Sequence, residues 1–350
     1  MTDIVDLRSD TVTLPTPAMR RAMADAEVGD DVYREDPTVN RLEEMSAERC
    51  GKDAALFVAS GTMGNLIALL THCGRGHEVI LGATSHMYVQ EQGGMSAIGG
   101  IYPHPLDDLP SGQIPIDQID ACFLPDDDHL ARISLISLED THNVAGGRVL
   151  PLSYLEQVQR LARRRGVALH LDGARLFNAA VALGVPVSAL AACADSLSFC
   201  LSKGLACPVG SVVVGDADFV REARRNRKLL GGGMRQAGII AAAGIVALNE
   251  MIERLAEDHA NARALAEGLS DIPGLDVDPD TVETNIVFAR VDRPDVDPAR
   301  LVSALQALGV KISAGGFPRI RLVTHYGIGR AEIARAVSAF SQVLGSPAGR

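Results

Sequence analysis

Short apolar runs alternate with segments of helical periodicity through much of this chain. The runs have the length and β-branched content typical of buried strands, and they cover residues 53–60, 78–82, 131–139, 167–172, 195–202 and 209–216. Apolar residues recur at helical spacing over residues 61–73, 152–165 and 174–182. This alternation predicts an α/β fold with a mainly parallel sheet and helices on both faces. Ligands of such sheets bind at the carboxyl ends of the strands, where Ser60 and Asp172 are found.

The pattern changes after residue 235, where a long helical stretch begins, with a predicted bend near residues 255–258. After it the pattern predicts a strand at 284–291, a helix at 298–308, a strand at 319–325 and a helix at 330–344. We therefore divide the chain into a large domain, residues 1–250, and a small C-terminal domain, residues 251–350. The large domain includes the loop-rich N-terminal segment, which packs on it or on a neighbouring subunit. The last residues, 346–350, are expected to fray.

Composition and charge narrow the class of protein. The chain has 350 residues, of which 47% are hydrophobic and 22% charged, as in ordinary folded domains. A net charge of −11 argues against a nucleic-acid partner, because phosphate backbones bind basic surfaces. The six cysteines show no metal-ligand spacing, so we predict no metal site and interpret them as buried thiols of a reducing compartment. Neither a signal peptide nor a membrane span is recognisable, which predicts a cytoplasmic protein.

Two residues at predicted strand ends suggest a cofactor. Asp172 closes the run at 167–172, and Lys203 follows the run at 195–202. Pyridoxal 5'-phosphate (PLP) requires an anion facing its pyridine nitrogen and an amine that forms a Schiff base with its aldehyde. Simpler interpretations stay open: Asp172 caps the next helix or pairs with Arg175, and Lys203 is a surface lysine.

Other motifs fit a phosphate group. Ser60, Gly61 and Thr62 directly follow a strand and open a helix, where free N–H groups and the helix dipole favour an anion. The alternative is that Ser60 simply caps its own helix. Arg235 follows three glycines at the start of the long helix, so it either meets a phosphate of a neighbouring subunit or belongs to a flexible connector.

Several polar residues are candidates for contact with a substrate. His86 follows a strand and either stacks on a flat ring, acts as an acid or base, or is a polar loop residue. His142 and Asn143 follow another strand, with a simple turn as the alternative. Arg321 lies within an apolar strand and pairs either with a substrate carboxylate or with a protein acid, whereas Arg319 fits an exposed salt bridge better.

With these residues in view, the chain resembles the threonine aldolase family, PLP-dependent lyases of the aspartate-aminotransferase-like fold (fold type I). The resemblance covers nearly the whole chain and rests on the motifs LRSDTVTLPT (7–16), GDDVYREDPTVNRLE (29–43), FVASGTMGNLIAL (57–69), SHMYVQEQGG (85–94), LEDTHNVAGGRVLP (138–151), LHLDGARLFNAA (169–180), SFCLSKGLACPVGSVVVG (198–215) and LGGGMRQAG (230–238). It implies a large domain with a seven-stranded sheet and a small α+β domain. It also implies a homotetramer, a dimer of dimers, whose active sites draw on two subunits.

The resemblance assigns roles around the cofactor. It implies that Lys203 forms the Schiff base, that Asp172 holds the pyridine nitrogen and that His86 stacks on the ring. Arg175 is placed near the ring hydroxyl or the substrate. The sequence departs from the pattern at Asp140 and Ala206, where asparagine and glycine are expected, and Asp140 alters the charge near the substrate.

The resemblance also assigns the anionic groups of cofactor and substrate. Residues 60–62 hold the phosphate, with Arg235 contributing from a partner subunit. Ser9 and Arg321 hold the substrate carboxylate, and His142 lies near the substrate hydroxyl.

The implied reaction is retro-aldol cleavage of L-threonine, L-allo-threonine and related β-hydroxy-α-amino acids to glycine and an aldehyde. His86 and His142 are the candidates for the base that takes the hydroxyl proton. Two alternatives stay open: another PLP reaction on the same fold, such as β-elimination from serine or cysteine, or racemisation, and a binding protein without activity. Release of pyruvate would indicate elimination, and a missing lysine would have favoured the binding protein.

Overall fold

The computed structural model describes residues 4–345; residues 1–3 and 346–350, including the segment expected to fray, lie outside the described part. The strands are β1 (Val5–Asp6), β2 (Ala54–Val58), β3 (Glu78–Gly82), β4 (Tyr102–Leu106), β5 (Ile133–Glu139), β6 (Ala168–Asp172), β7 (Ser196–Cys200), β8 (Ser211–Gly215), β9 (Leu275–Asp276), β10 (Ile286–Val291), β11 (Val310–Lys311) and β12 (Arg319–Val323). The α-helices are α1 (Pro17–Ala24), α2 (Pro37–Cys50), α3 (Gly61–His72), α4 (His86–Val89), α5 (Gly94–Ala97), α6 (Ile116–Ala121), α7 (Leu152–Arg165), α8 (Leu176–Leu183), α9 (Val187–Ala191), α10 (Ala217–Leu229), α11 (Gly238–Glu250), α12 (Leu255–Ser270), α13 (Pro298–Ala307) and α14 (Arg330–Leu344). Short 3-10 helices span Asp10–Val12, Asp31–Tyr33 and Pro279–Thr281.

Seven strands form the central sheet in the order β2-β8-β7-β6-β5-β3-β4. Neighbouring strands run parallel except at β8, which is antiparallel to both β2 and β7. This confirms the predicted α/β class with a mainly parallel seven-stranded sheet. Strands β3, β7 and β8 are buried along their whole length, as expected when helices cover both faces. Pairing of Glu139 with Asp172 and of Asp172 with Ser198 sets the three side by side near the carboxyl ends of their strands.

The apolar pattern does not predict β4, because its sequence YPHPL carries two prolines. A proline has no N–H to donate to a neighbouring strand, so it is tolerated at a sheet edge but not at its centre. Strand β4 is indeed an edge strand, paired with β3 alone.

The C-terminal part of the chain forms a second core around the antiparallel sheet β12-β10-β9. Strand β1 joins this core, since Val5 pairs with Val310 and both Val5 and Leu7 are fully buried in it. The N-terminal segment is predicted above to belong to the large domain. Only the part that follows β1 packs there, with α1 against α11. The boundary at residue 250 stays a prediction.

The long helical stretch is divided between α11 and α12, with the break at residues 251–254 rather than at 255–258 as predicted. Met251, the first residue of the break, and Leu255, the first residue of α12, are buried in the larger core. Their burial explains why the apolar pattern continues across the break. Within residues 4–345, none of the helices has both the length and the apolar character to cross a membrane.

Asp36 connects the start of α2 to the start of α11. Its buried carboxylate accepts hydrogen bonds from the N–H groups of Thr38 and Val39, at 3.1 and 3.0 Å, and so caps α2. It also accepts the N–H groups of Gly238 at 2.8 Å and Gly29 at 3.3 Å. A Cβ atom on Gly238 would lie 2.4 Å from the carboxylate, so only glycine permits this approach.

We expect Asp36→Ala to lower the free energy of unfolding by about 2–4 kcal/mol, because it removes a helix cap and leaves buried N–H groups unpaired. Urea unfolding followed by circular dichroism measures this loss. The matched control is Asp297→Ala, which removes the exposed cap of α13, where the carboxylate accepts the N–H of Arg300 at 2.8 Å. The control should lose about 1 kcal/mol or less. Equal losses in the two variants would contradict the role given to Asp36.

Candidate active site at the carboxyl ends of the central strands

Asp172 ends β6 as a buried carboxylate that is 3% exposed. One oxygen accepts a hydrogen bond from Asn65 Nδ2 at 2.8 Å, and the other accepts the N–H of Ala174 at 3.1 Å. Asp172 therefore accepts an N–H of the turn before α8 but does not cap that helix, so the capping interpretation is wrong. The pairing of Asp172 with Arg175 is wrong as well, because Arg175 pairs with Asp10. Asp172 has no ion-pair partner within residues 4–345, so its charge remains available to a cationic ligand.

Lys203 lies half-buried in the turn that follows β7. Its carbonyl accepts the N–H of Ala206 at 2.8 Å, and Ala206 has a positive φ of 64°, which explains why the resemblance leads us to expect glycine there. No hydrogen bond or ion pair of the Lys203 amine is found in the described part of the chain. The Lys203 charge is one of the causes that lower the pKa of Asp10, and it partly offsets the causes that raise the pKa of His86. The amine is therefore within electrostatic reach of both side chains.

His86 begins α4, next to β3 and close to Asp172. Its Nδ1 lies 2.8 Å from Glu91 Oε1, and about a third of its side chain is exposed (34%). The hydrogen bond to Glu91 is the main cause that raises the pKa of His86, and the Asp172 charge adds to it. The backbone N–H of His86 donates to Glu139 Oε2 at 2.6 Å, which fixes the start of α4 to the end of β5.

Asn65 joins the two carboxylates of the site. Its Nδ2 donates to Glu91 Oε1 and to Asp172 Oδ2, both at 2.8 Å, and its Oδ1 accepts a hydrogen bond from Ser198 at 3.1 Å. Ligand atoms of His86, Glu91 and Asp172 lie within 4.8 Å of one another. Hydrogen bonds involve His86 Nδ1, Glu91 Oε1 and Asp172 Oδ2. That no metal binds remains a prediction.

Ser60 caps α3, since its hydroxyl oxygen accepts the N–H of Met63 at 3.2 Å. The capping interpretation is thus confirmed, and binding of a phosphate at Gly61 and Thr62 stays a prediction that this geometry allows. Gly61 is tightly placed, because a Cβ atom there would lie 2.9 Å from Cys200 Sγ. Arg235 is more than half exposed and pairs with Asp30 at 3.0 Å; no contact within residues 4–345 joins it to residues 60–62.

Arg175 and Asp10 form a buried ion pair, with Nε and Nη2 of the arginine 2.6 and 2.7 Å from the two carboxylate oxygens. Asn285 Nδ2 also donates to Asp10 at 3.3 Å. Burial by itself would raise the pKa of the Asp10 carboxyl, but the Arg175 guanidinium more than offsets this and holds the pKa well below its usual range. Ser9 lies next to this pair, with its hydroxyl 3.5 Å from Asp10 Oδ1.

Arg321 lies half-buried beside the same pair. Its Nη1 donates to Asn143 Oδ1 at 2.7 Å, and its Nη2 lies 3.4 Å from the carbonyl oxygen of Arg8. No carboxylate within the described residues pairs with Arg321. Burial lowers the pKa of Arg321, and the nearby Arg175 charge lowers it further. In contrast, the guanidinium of Arg319 stacks on the ring of Phe288, 3.5 Å from its centroid, so the expected exposed salt bridge does not form.

His142 is buried, with 2% of its side chain exposed. Its Nδ1 accepts the N–H of Ala145 at 3.2 Å, and its Nε2 faces Asp108 Oδ1 at 3.5 Å, too far for a good hydrogen bond. Burial lowers the pKa of His142, but nearby carboxylates, first Asp108, more than offset this and raise it. Both ring nitrogens therefore face protein atoms, and the predicted contact with a substrate hydroxyl stays a prediction.

Asp140 precedes His142 and is fully buried. One oxygen accepts the N–H of Leu150 at 3.2 Å, while Oδ2 has no hydrogen-bond partner in the described part. Burial raises the pKa of Asp140 to about 8. The side chain is therefore protonated near pH 7, and the change of local charge expected from the sequence is small.

The sequence alone predicts no role for Asp10, Asn65 and Glu91, and it predicts for Asn143 only a contact with the substrate. Each belongs to a motif quoted above, but the motif does not show which residue faces the site. Side-chain contacts between residues far apart in sequence reveal these roles, as in the pairing of Asp10 with Arg175.

The profile of the family described as "Beta-eliminating lyase" matches residues 6–292. The chain is 48% identical to low-specificity L-threonine aldolase 1 of Arabidopsis thaliana, over 97% of this chain and 96% of the relative. It is also 48% identical to the low specificity L-threonine aldolase of Escherichia coli (strain K12), over 96% and 98% of the two chains.

The fold is shared with a solved structure of threonine aldolase from Leishmania major. The TM-score is 0.81 at 19% sequence identity, and the match covers 97% of this chain and 99% of the other. From the extent of these matches, and from the fold and residues described above, the chain belongs to the β-eliminating lyase family.

Proposed function

We propose that this protein is a PLP-dependent enzyme that cleaves L-threonine, L-allo-threonine and related β-hydroxy-α-amino acids to glycine and an aldehyde. The observation that carries the proposal is the meeting of Asp172, an unpaired buried carboxylate, with the free amine of Lys203 beside His86. Membership of the β-eliminating lyase family and the near full-length identity to L-threonine aldolases support it.

The residues present fit PLP. Asp172 is a buried carboxylate without an ion-pair partner in residues 4–345, which suits a protonated pyridine nitrogen, and His86 lies beside it to cover the ring. Lys203 would attach the cofactor through its amine, and the N-terminus of α3 at residues 60–62 would hold the phosphate. When bound, PLP withdraws the electrons of the bond that breaks at Cα.

Arg321 and Ser9 would hold the substrate carboxylate. Arg321 has only neutral oxygen partners, those of Asn143 and Arg8, although a half-buried guanidinium is most stable beside an anion. Arg175 donates Nε and Nη2 to Asp10, and its Nη1 lies 3.5 Å from Asn143 Oδ1. Its remaining N–H groups would face the ring hydroxyl or the substrate, and its charge adds positive potential there. Fixing the carboxylate orients the Cα–Cβ bond for cleavage.

His86 suits the role of base better than His142. The Nδ1–H of His86 is directed to Glu91, which leaves Nε2 with a lone pair on the partly exposed side of the ring. His142 is buried with Nδ1 accepting a backbone N–H and Nε2 facing Asp108. His86 would therefore take the proton from the substrate hydroxyl, directly or through water, and Glu91 would stabilise the resulting charge.

We also propose a homotetramer, a dimer of dimers, in which Arg235 reaches the phosphate of a neighbouring subunit. The exposure of Arg235 on the loop before α11 leaves it free to exchange its contact with Asp30 for such a partner. A cytoplasmic location is consistent with six free cysteines, five of them buried.

A product assay tests the proposed activity. The purified, PLP-loaded protein should release glycine and acetaldehyde in equal amounts from L-threonine or L-allo-threonine. Lys203→Ala should lose turnover and the visible absorbance of the bound cofactor, while Lys311→Ala, on an edge of the C-terminal part, should keep both. Release of 2-oxobutanoate and ammonia from these substrates, instead of glycine and acetaldehyde, would reject the aldolase in favour of elimination.

Arg321→Ala should raise KM for the amino acid by about tenfold to a hundredfold, because a charged hydrogen bond to a carboxylate contributes about 1.5–3 kcal/mol. The increase in KM should be small in Arg319→Ala. This variant removes the same charge from the same strand, but the Arg319 side chain is stacked on Phe288. Steady-state kinetics on both variants measure the difference. An unchanged KM in Arg321→Ala would remove its carboxylate role.

The pH profile identifies the base. The base form of His86 exists only above its pKa, which Glu91 raises, so the acid limb of kcat/KM should lie at higher pH than an ordinary histidine would give. Glu91→Gln removes the main cause of this shift, and the acid limb should move to lower pH. Glu78→Gln is the matched control, since Glu78 pairs with His104 in the same way at the amino end of β3. If the acid limb of kcat/KM lies at the same pH in Glu91→Gln as in the unchanged protein, His86 is not the base.

A further inference from the structure

A groove opens at the amino ends of the central strands, away from the site described above. Its volume is about 620 Å³, and its wall includes the starts of β3, β4 and β5. Glu78, His104 and Cys122 line it together. The proposed aldolase reaction uses none of these three residues.

The three side chains form a line with the imidazole in the middle. His104 Nδ1 lies 2.6 Å from Glu78 Oε1, and His104 Nε2 lies 3.5 Å from Cys122 Sγ. The Glu78 carboxylate can only accept a hydrogen bond when it is ionised, so it fixes the proton on Nδ1. The Nε2 atom then presents a lone pair to the thiol. The three side chains therefore stand in the order nucleophile (Cys122), base (His104) and orienting acid (Glu78).

Three separate elements place these residues. Glu78 is the first residue of β3, His104 is in the middle of the edge strand β4, and Cys122 directly follows α6. The Cys122 thiol also lies 3.2 Å from the carbonyl oxygen of Gln118 in the preceding helical turn. The imidazole contacts its two partners through different nitrogens, so the geometry is that of a proton relay rather than a set of metal ligands.

Cys122 differs from the other cysteines in its access to solvent. All six are free thiols within the described part of the chain, and five are buried: Cys50, Cys73, Cys193, Cys200 and Cys207. Burial and the Glu78 charge raise the pKa of the Cys122 thiol, so it is protonated near pH 7. Reaction at this sulfur therefore needs a base to take its proton, and His104 Nε2 is in position to do so.

We propose that Cys122 is a site of reversible thiol–disulfide exchange with low-molecular-weight disulfides, in which His104 acts as the base and Glu78 orients it. The Cys122 proton moves to His104 Nε2 while the sulfur attacks one sulfur of the disulfide. The disulfide bond breaks, a mixed disulfide forms on Cys122, and the second half leaves as a thiolate. Such exchange needs an accessible thiol and a base but no donors to stabilise an oxyanion, which matches what the groove provides.

The test uses the PLP-loaded protein and the aromatic disulfide 5,5'-dithiobis(2-nitrobenzoic acid) near neutral pH. The released aromatic thiolate gives the rate, and mass spectrometry of peptides gives the modified cysteine. Cys122 should react first, a reducing thiol should reverse the modification, and Cys122→Ser should lose the fast phase. A native protein in which Cys122 stays unmodified overturns the proposal.

Variants in the groove test the relay. His104→Gln should lower the rate at Cys122 by about tenfold or more, and Glu78→Gln should lower it less. His129→Gln is the matched control, because His129 lines the same groove but pairs with Asp127. Circular dichroism establishes that each variant is folded. If His104→Gln does not fold, His104→Asn is used in its place. Equal rates in His104→Gln, His129→Gln and the unmodified sequence overturn the role of His104.

Discussion

The buried ion pair between Asp10 and Arg175 holds together parts of the chain that are far apart in sequence. Asp10 follows the strand that joins the C-terminal core, and Arg175 follows β6 of the central sheet. Asn285, next to β10, donates to the same carboxylate. Removing two charges from water is unfavourable, so the pair is stable only because both oxygens of Asp10 are bound at 2.6–2.7 Å. Losing either partner would leave a buried charge uncompensated.

Two asparagines let the site keep charges that are not neutralised within the protein. Asn65 donates to both Glu91 and Asp172, and Asn143 accepts from Arg321. An amide satisfies the hydrogen bonds of a neighbouring ion without supplying the opposite charge. Within the described residues Asp172 therefore has no ion-pair partner and Arg321 has no carboxylate partner, as the proposed binding of a cationic ring and of a substrate carboxylate requires. These unpaired charges, rather than the size of a cavity, give the site its proposed preference for PLP and an amino acid.

Local pattern predicts the elements of this fold where burial is regular. The strands β2, β3, β5, β6, β7 and β8 all fall within predicted apolar runs, because both faces of the sheet are covered. Strand β4 escapes prediction since its prolines are tolerated only at an edge. The break between α11 and α12 lies earlier in the chain than predicted, because Met251 and Leu255 are both buried and continue the apolar pattern. Strand β1 pairs with β11 across most of the chain, and no local pattern reveals such a distant partner.

The sequence by itself determined the α/β class, the strand-end positions of Asp172 and Lys203, and the family resemblance, because these follow from local periodicity and ordered motifs. Tertiary structure alone decided that Arg175 pairs with Asp10 and not with Asp172, and that Arg321 lacks a carboxylate partner. It also decided that His86 is partly exposed while His142 is buried, although both histidines follow strands. The reason is physical: charge balance and burial depend on groups brought together from distant parts of the chain, and a sequence motif does not specify those neighbours.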